Sequence, residues 1–278
     1  MQTKVTKRFS DGTSAGAAWT WSKTMNFADN EDLGSLSFPY PAFWGKNYAP
    51  SGFDRPQNIE VWAVAQLPFG KGEPWLQNGA GSWILGGWQI NPVISRLSGV
   101  PFTVGAGGNL NANGSGQTAD LVGKFRKLNG KPPRTGVTCA QSDLSCHYFD
   151  PSAFAAPLIT SDPATAHYGN TNRNAFRGPS FFNMNLTVLR DFKVKERLTL
   201  EVRADAFGFT NTPHFANPNV SCPGSATTSG SVGTSGQLCS TGSSTGNFGI
   251  VTGTAQPGGF FGPDAGNRVI WLGANVKF

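Results

Sequence analysis

The chain has 278 residues, a net charge of +6 and only 14% charged residues, a length that allows one large domain or two small ones. Its mean hydropathy is −0.25, and its most apolar run, residues 83–94, is interrupted by two glycines, Gln89 and Asn91. A spanning helix of about 20 apolar residues is therefore excluded. Lysine and arginine are scattered along the chain, so the positive charge does not predict nucleic-acid binding.

Alternation of apolar and polar residues, or strand-like composition, predicts seven β-strands. In chain order they are residues 2–9, 13–23, 59–67, 82–103, 180–193, 198–210 and 267–278. The apolar face of the fourth strand would carry Ile84, Trp88, Ile90 and Ile94. Strands of ten or more residues match the roughly 9–11 that cross a membrane at a tilt. Aromatic residues near predicted strand ends suit an interfacial girdle, namely Trp19, Trp21, Phe69, Phe192 and Phe278.

The connections between these strands alternate between short and long. The long ones are residues 24–57, 104–179 and 211–266. Outer-membrane barrels have short periplasmic turns and longer extracellular loops, and the last strand would here run towards the periplasm. The pattern predicts an all-β fold, a segment of an antiparallel transmembrane β-barrel in which residues 1–278 form one unit. A β-sandwich also alternates in this way and stays open as an alternative.

Charged residues of the sixth strand share one face. Glu201, Arg203 and Asp205 alternate with apolar neighbours, which would place them on the lumen side of a wide barrel. We interpret them as a charge ladder between strands, although a substrate contact or a proton relay would use the same residue types.

The four cysteines form two pairs within polar segments rich in glycine and serine. Cys139 and Cys146 lie in one long loop, and Cys222 and Cys239 lie in the next. No CxxC spacing occurs, so a zinc site is disfavoured. Two local disulfides would suit an oxidising compartment, while four unpaired thiols remain the alternative.

Catalytic patterns are not apparent in the sequence. His147, His167 and His214 fall in loops without a nearby nucleophile pattern, and no G-x-S-x-G occurs. We therefore expect no enzymatic activity, no cofactor and no metal. Aromatic loop residues could grip an external ligand or pack between loops, and they include Phe38, Tyr40, Phe43, Trp44 and Tyr48.

Several short motifs resemble TonB-dependent outer-membrane receptors of the Oar-like type. The clearest are residues 174–179 (Asn-Ala-Phe-Arg-Gly-Pro) before 181–186, and 200–207 (Leu-Glu-Val-Arg-Ala-Asp-Ala-Phe) before 211–215. Further matches follow in the same order at 19–23, 67–70, 98–103 and 148–151. The final strand resembles the C-terminal signal of outer-membrane proteins, with a terminal aromatic after apolar residues at alternate positions: Ile270, Leu272, Ala274, Val276 and Phe278.

The resemblance implies a 22-stranded barrel, of which this chain would be about the last seven strands, in the outer membrane of a Gram-negative type bacterium. It implies contact with membrane lipid, and with the outer-membrane assembly machinery through the last strand. The family's plug, its carboxypeptidase-regulatory-like domain and its TonB-binding segment would belong to a preceding part. TonB would act only through that part, during binding and uptake of an unknown ligand.

An open curved sheet follows from the strand count, because an odd number of antiparallel strands would close in parallel. Residues 2–9 and 267–278 are then expected to be edges that pair with strands outside the chain. Residue 1 leads directly into a strand pattern with no secretory signal, so we expect the chain to be the C-terminal part of a longer protein. The alternatives are an autonomous small barrel or surface adhesin, and a secreted carbohydrate-binding sandwich.

Overall fold

Seven long strands form one antiparallel sheet in the computed structural model. The structure describes residues 1–9, 12–29, 36–38, 41–106, 117–128, 139, 143–157, 167–195, 198–222, 238–239, 247–255 and 266–278. The long strands are β1 (Gln2–Arg8), β2 (Ser14–Trp21), β3 (Gln57–Gln66), β4 (Trp88–Leu97), β5 (Phe181–Lys195), β6 (Leu198–Phe207) and β7 (Val269–Lys277). The predicted all-β fold with a seven-stranded antiparallel sheet is therefore confirmed.

The sheet is an up-and-down meander in which each strand pairs with its neighbours in the chain. The pairing of β4 with β5 runs from Leu97–Phe181 to Trp88–Arg190. Within the described residues, β1 and β7 are the two edges and do not pair with each other. The sheet is thus open, as the odd strand count predicted.

The predicted start of the fourth strand was wrong. Residues 79–85 form the short helix α1 (Gly79–Leu85), and β4 begins only at Trp88. Gly87 has a φ of +73°, a conformation that favours glycine, and a Cβ on Gly86 would lie 2.8 Å from Cα of Gly70. This close approach ends the helix and turns the chain into β4. β1, β2 and β7, with 7, 8 and 9 residues, are also shorter than the ten or more expected of spanning strands.

The sheet has one apolar face and one polar face. A single row of paired apolar residues crosses five strands, formed by Val5, Ala17, Val61, Ile94 and Met184. On β7 the apolar side chains are strongly exposed, with Ile270 at 59%, Leu272 at 83% and Val276 at 56%. Burial of these three between two stacked layers, which a β-sandwich requires, is not observed.

The buried core lies in the long connections rather than against the sheet. All three long connections leave the same end of the meander, and their described residues between 22 and 56, 98 and 180, and 208 and 268 are here called the loop cap. Its centre is a cluster of aromatic and small residues, including Phe102, Phe149, Phe154, Phe176 and Phe248. The predicted irregular region thus has its own packed interior.

Short elements shape the loop cap. The 3-10 helices are Pro41–Asn47, Leu144–Cys146 and Pro151–Ala153. The two-residue strands are Met25–Asn26, Ala49–Pro50, Pro101–Phe102, Gly105–Ala106, Gln117–Thr118, Asp120–Leu121, Phe154–Ala155, Phe176–Arg177 and Ser221–Cys222. Two of these pairings join distant segments, because Phe176 pairs with Phe102 and Ser221 pairs with Gly105.

Candidate functional site

Hydrogen-bonded charges line the polar face of β5, β6 and β7. Asp205 accepts hydrogen bonds from Arg203 Nε at 2.9 Å and from a terminal guanidinium nitrogen of the same side chain at 2.8 Å. Thr187 Oγ1 on β5 donates to the same carboxylate at 2.7 Å. Gly273 lies opposite Arg203 on β7, and a Cβ there would come within 3.2 Å of Arg203 Cγ. Glycine therefore leaves room for the arginine stem along the sheet.

A second group of charges lies nearer the start of β6, the end of the strand away from the loop cap. Lys277 Nζ donates to Glu201 Oε2 at 2.6 Å and lies 3.5 Å from Asp191 Oδ1. Asn275 Nδ2 also donates to Glu201, at 3.2 Å. The structure thus brings the predicted residues Glu201, Arg203 and Asp205 to one face and gives each of them a partner. We call this polar surface of β5–β7 the polar wall.

Two arginines, one buried and one partly exposed, hold the first two long connections of the loop cap together. The Arg173 side chain is almost fully buried and contacts Asp29 Oδ2 at 2.8 Å. Its Nε donates to the carbonyl of Asn47 at 3.1 Å, and one terminal nitrogen donates to the carbonyl of Asn26 at 2.7 Å. Because these acceptors all lie between residues 22 and 56, the arginine joins the 98–180 connection to the preceding one.

Arg177 makes the second link, to the carboxylate of Asp54. Its other terminal nitrogen donates to the carbonyls of Asp54 at 3.0 Å and of Gly99 at 3.3 Å. The amide of Thr24 donates to Asp54 at 2.7 Å, and the Tyr148 hydroxyl donates to the Arg177 carbonyl at 3.0 Å. Burial raises the pKa of Tyr148. These contacts link the aromatic cluster of the loop cap to its first long connection, residues 22–56.

Hydrogen bonds keep the Asp29 carboxyl ionised although the residue is partly buried. Burial alone would raise the pKa of this carboxyl, but hydrogen bonds from the Gly52 amide and from Asn174, Arg173 and Asn26 lower it overall. The Asn174 amide donates to Asp29 at 2.9 Å and to the Pro50 carbonyl at 2.8 Å. Asp29 is therefore held as the anion that Arg173 needs.

A small pocket lies between the start of β5 and the loop cap, with Arg55, Phe181, His214 and Asn217 in its lining. His214 packs on Phe181 with ring centroids 3.9 Å apart, and its Nε2 lies 2.9 Å from the Phe182 carbonyl. Burial lowers the pKa of His214, and this outweighs the opposing effect of that carbonyl. The ring is therefore neutral near pH 7, so Nε2 donates to the carbonyl.

The structure links Cys139 with Cys146 and Cys222 with Cys239 as disulfides. Cys222 and Cys239 belong to the aromatic cluster of the loop cap, so the second bond lies in its interior. The three histidines are not brought together. His147 is fully buried, and His167 Nε2 lies 2.6 Å from Asp120 Oδ2. In the described part of the chain, no three His, Cys, Asp or Glu residues cluster as metal ligands.

The predicted loop aromatics divide between the interior and the surface. Phe38 is buried, and Phe43 packs on Tyr168 with ring centroids 4.5 Å apart. Trp44 and Tyr48 are exposed. Tyr40 lies outside the described residues. Phe278, the predicted assembly signal, is fully exposed at the end of the sheet. Sequence reasoning missed both arginine links; the only signal was two arginines four residues apart in a chain of low charge.

The sheet with one exposed apolar face, one charged face and three long loops at one end agrees with a family comparison. The family described as outer membrane beta barrel domain matches residues 1–270. The chain belongs to this family. The barrel domain therefore forms barrel wall in the outer membrane. Neither a curated protein nor a solved structure matches it. Among the described helices, none has the length and apolar character to span a membrane.

Proposed function

We propose that the chain is the C-terminal part of the barrel wall of a TonB-dependent receptor of the Oar-like type, in a Gram-negative bacterium. When complete, the receptor would bind an external ligand and take it up. The observation that carries this proposal is the division of one open sheet into an exposed apolar face and a hydrogen-bonded charged face. A transport barrel needs such a wall, with lipid on one side and water on the other.

The open edges support a wide barrel. In hydrocarbon every backbone polar group needs a partner, so an open sheet must be completed by further strands. β1 and β7 have no further neighbours in the described part of the chain and offer free backbone groups for this pairing. The proposal thus assigns the two edges to strands of the same receptor, and it assigns the exposed β7 side chains to lipid and to the assembly machinery.

The polar wall and the loop cap have different roles in this proposal. Five charged residues of the polar wall are paired with one another, Arg203 with Asp205 and Lys277 with both Glu201 and Asp191, which suits a hydrated lumen surface. We propose no enzymatic step and no cofactor. The loop cap is tied together by Arg173 and Arg177 and would form part of the extracellular entrance. Exposed Trp44 and Tyr48 are the candidate ligand contacts there.

Tryptophan positions test the orientation of the wall. Trp19 lies on the apolar face beside Ile59, whereas Trp271 lies on the polar face beside Asp205. We expect the full-length protein, reconstituted with Trp19 as its only tryptophan, to lose most of its fluorescence to phospholipids with brominated acyl chains. The matched protein with only Trp271 should instead respond to iodide in the aqueous phase. The reverse result would contradict the proposed wall.

Energy coupling tests the receptor assignment separately. Cells lacking the gene are compared with cells lacking TonB for uptake of a radiolabelled ferric siderophore, an oligosaccharide and a peptide. We expect the same single compound to be lost in both strains and in wild-type cells treated with a protonophore. Uptake that depends on the gene but continues without TonB would contradict the assignment and favour an autonomous barrel.

A further inference from the structure

The connection between β3 and β4 carries an unusual apolar surface at the end of the sheet opposite the loop cap. It contains α1 and five exposed apolar residues, namely Trp75, Leu76, Trp83, Ile84 and Leu85. None of the α1 residues is buried, and Trp83 is 73% exposed. A group of exposed large apolar side chains close together in the chain is unusual and often marks a contact with a membrane or a protein. We call this surface the rim patch.

The rim patch lies beside the apolar face of the sheet and not beside the lumen. Trp88 and Arg190 are paired residues, and Arg190 stands two positions from Val188 on the apolar face of β5. Both donate to the carbonyl of Ile84, Trp88 Nε1 at 2.8 Å and Arg190 at 3.0 Å. These bonds hold the last turn of α1 against the apolar side of the wall.

Charge and aromatic groups around the helix match those of a membrane interface. The Arg190 guanidinium lies 4.4 Å from the centre of the Phe192 ring and 5.8 Å from that of Trp88. Long basic side chains beside aromatic rings characterise the level of the lipid headgroups, where the stem stays in hydrocarbon and the charge reaches water. The apolar face of the wall thus meets α1 through Trp88 and the Arg190 side chain.

We propose that the rim patch inserts into the periplasmic leaflet of the outer membrane, as a short interfacial anchor beside the wall. The occupant is phospholipid, because the patch is continuous with the apolar face of a sheet that forms outer-membrane barrel wall. Trp83, Ile84 and Leu85 enter the boundary between headgroups and acyl chains, as in other interfacial helices. The proposal needs only the outer-membrane barrel and is independent of TonB coupling.

Spin labels on the full-length protein test this placement without altering the tryptophans elsewhere. Trp83→Cys and Gln77→Cys give one label on the rim patch and a matched one on an exposed polar residue of the same connection. The protein is reconstituted in vesicles of phosphatidylethanolamine and phosphatidylglycerol. We expect the label at 83 to collide with oxygen more than with a water-soluble nickel complex, and the label at 77 to show the opposite preference.

Either of two labelling results would overturn the anchor. If both labels collide mainly with the nickel complex, the rim patch faces the periplasm. If the label at 83 is shielded from both reagents, a protein surface covers the patch instead of lipid. Protease cleavage of two unlabelled variants supplies an independent readout. Trp83→Phe should leave vesicle insertion unchanged. Trp83→Glu should shift the loop towards the aqueous phase and raise its cleavage by an added protease. Equal cleavage of both variants would also contradict the proposal.

Discussion

The Arg177 guanidinium contacts the carboxylate of Asp54, whose side chain is 0% exposed. The two residues are 123 positions apart and belong to different long connections of the barrel domain. A buried carboxylate destabilises the fold unless a cation pairs with it, so the first connection needs the guanidinium that the second connection supplies. The pair therefore makes the fold of residues 22–56 depend on that of residues 98–180. A similar dependence joins Asp29 to Arg173.

Arg177→Ala should destabilise the loop cap, because it leaves the Asp54 carboxylate buried without its cation. We expect a loss of about 3 kcal/mol in the free energy of local opening. Hydrogen exchange of amides in the cap measures this change while the strands serve as an internal reference. The control is Arg126→Ala, since Arg126 is 60% exposed and lies 3.8 Å from Asp150. That change should cost under about 1 kcal/mol. Equal losses in the two variants would refute the link.

Replacing both Cys222 and Cys239 with serine should also weaken the loop cap. The residues are 17 positions apart, and closing a loop of that size is worth about 3 kcal/mol in the chain-entropy account. During a denaturant titration, the cap amides of this double variant should exchange hydrogen faster than those of the native protein. The Cys139 and Cys146 pair spans 7 positions, so its double serine variant should lose only about 2 kcal/mol. Alkylation of all four thiols without reductant would show that neither bond exists.

The strands could be predicted from the sequence where apolar and polar residues alternate without interruption. β3 and β6 begin within two residues of their predicted starts, because a two-residue period fixes both the strand and its faces. The start of β4 could not be predicted in this way. Trp83 and Ile84 resemble strand residues locally, and the close approach of Gly86 to Gly70 beside the end of α1 joins residues distant enough in the chain that no local pattern signals it.

The loop cap was the least predictable part of the barrel domain. Its phenylalanines have no period, so local patterns do not distinguish a packed interior from an exposed loop. The acidic partners of Arg173 and Arg177, Asp29 and Asp54, lie more than 100 residues earlier in the chain, and their pairing depends on the meander bringing all long connections to one end. By contrast, the shared face of Glu201, Arg203 and Asp205 followed from their spacing alone.

An arginine should be tolerated on one face of β7 and not on the other. Leu272→Arg places a charge in the middle of the apolar face, where the cost in a bilayer is about 2–4 kcal/mol. Asn275→Arg adds the same side chain to the polar wall beside Glu201, so its cost should be small. Urea unfolding of the full-length protein in phospholipid vesicles measures both. A greater loss for the polar-wall variant would contradict the orientation of the sheet.

Acidification should loosen the loop cap around His214. Burial lowers the pKa of this residue in the folded protein, so the unfolded chain takes up a proton at a higher pH than the folded one. The contribution of neutral His214 to stability is complete above the unfolded pKa of about 6.5 and declines as the pH falls below it. The protection factors of the amides near Phe181 and Phe182, which correct the exchange rates for their intrinsic pH dependence, should therefore fall between pH 7 and 5. In His214→Gln, which cannot titrate, the same protection factors should not fall; a fall as large as in the native protein would assign the effect to another group.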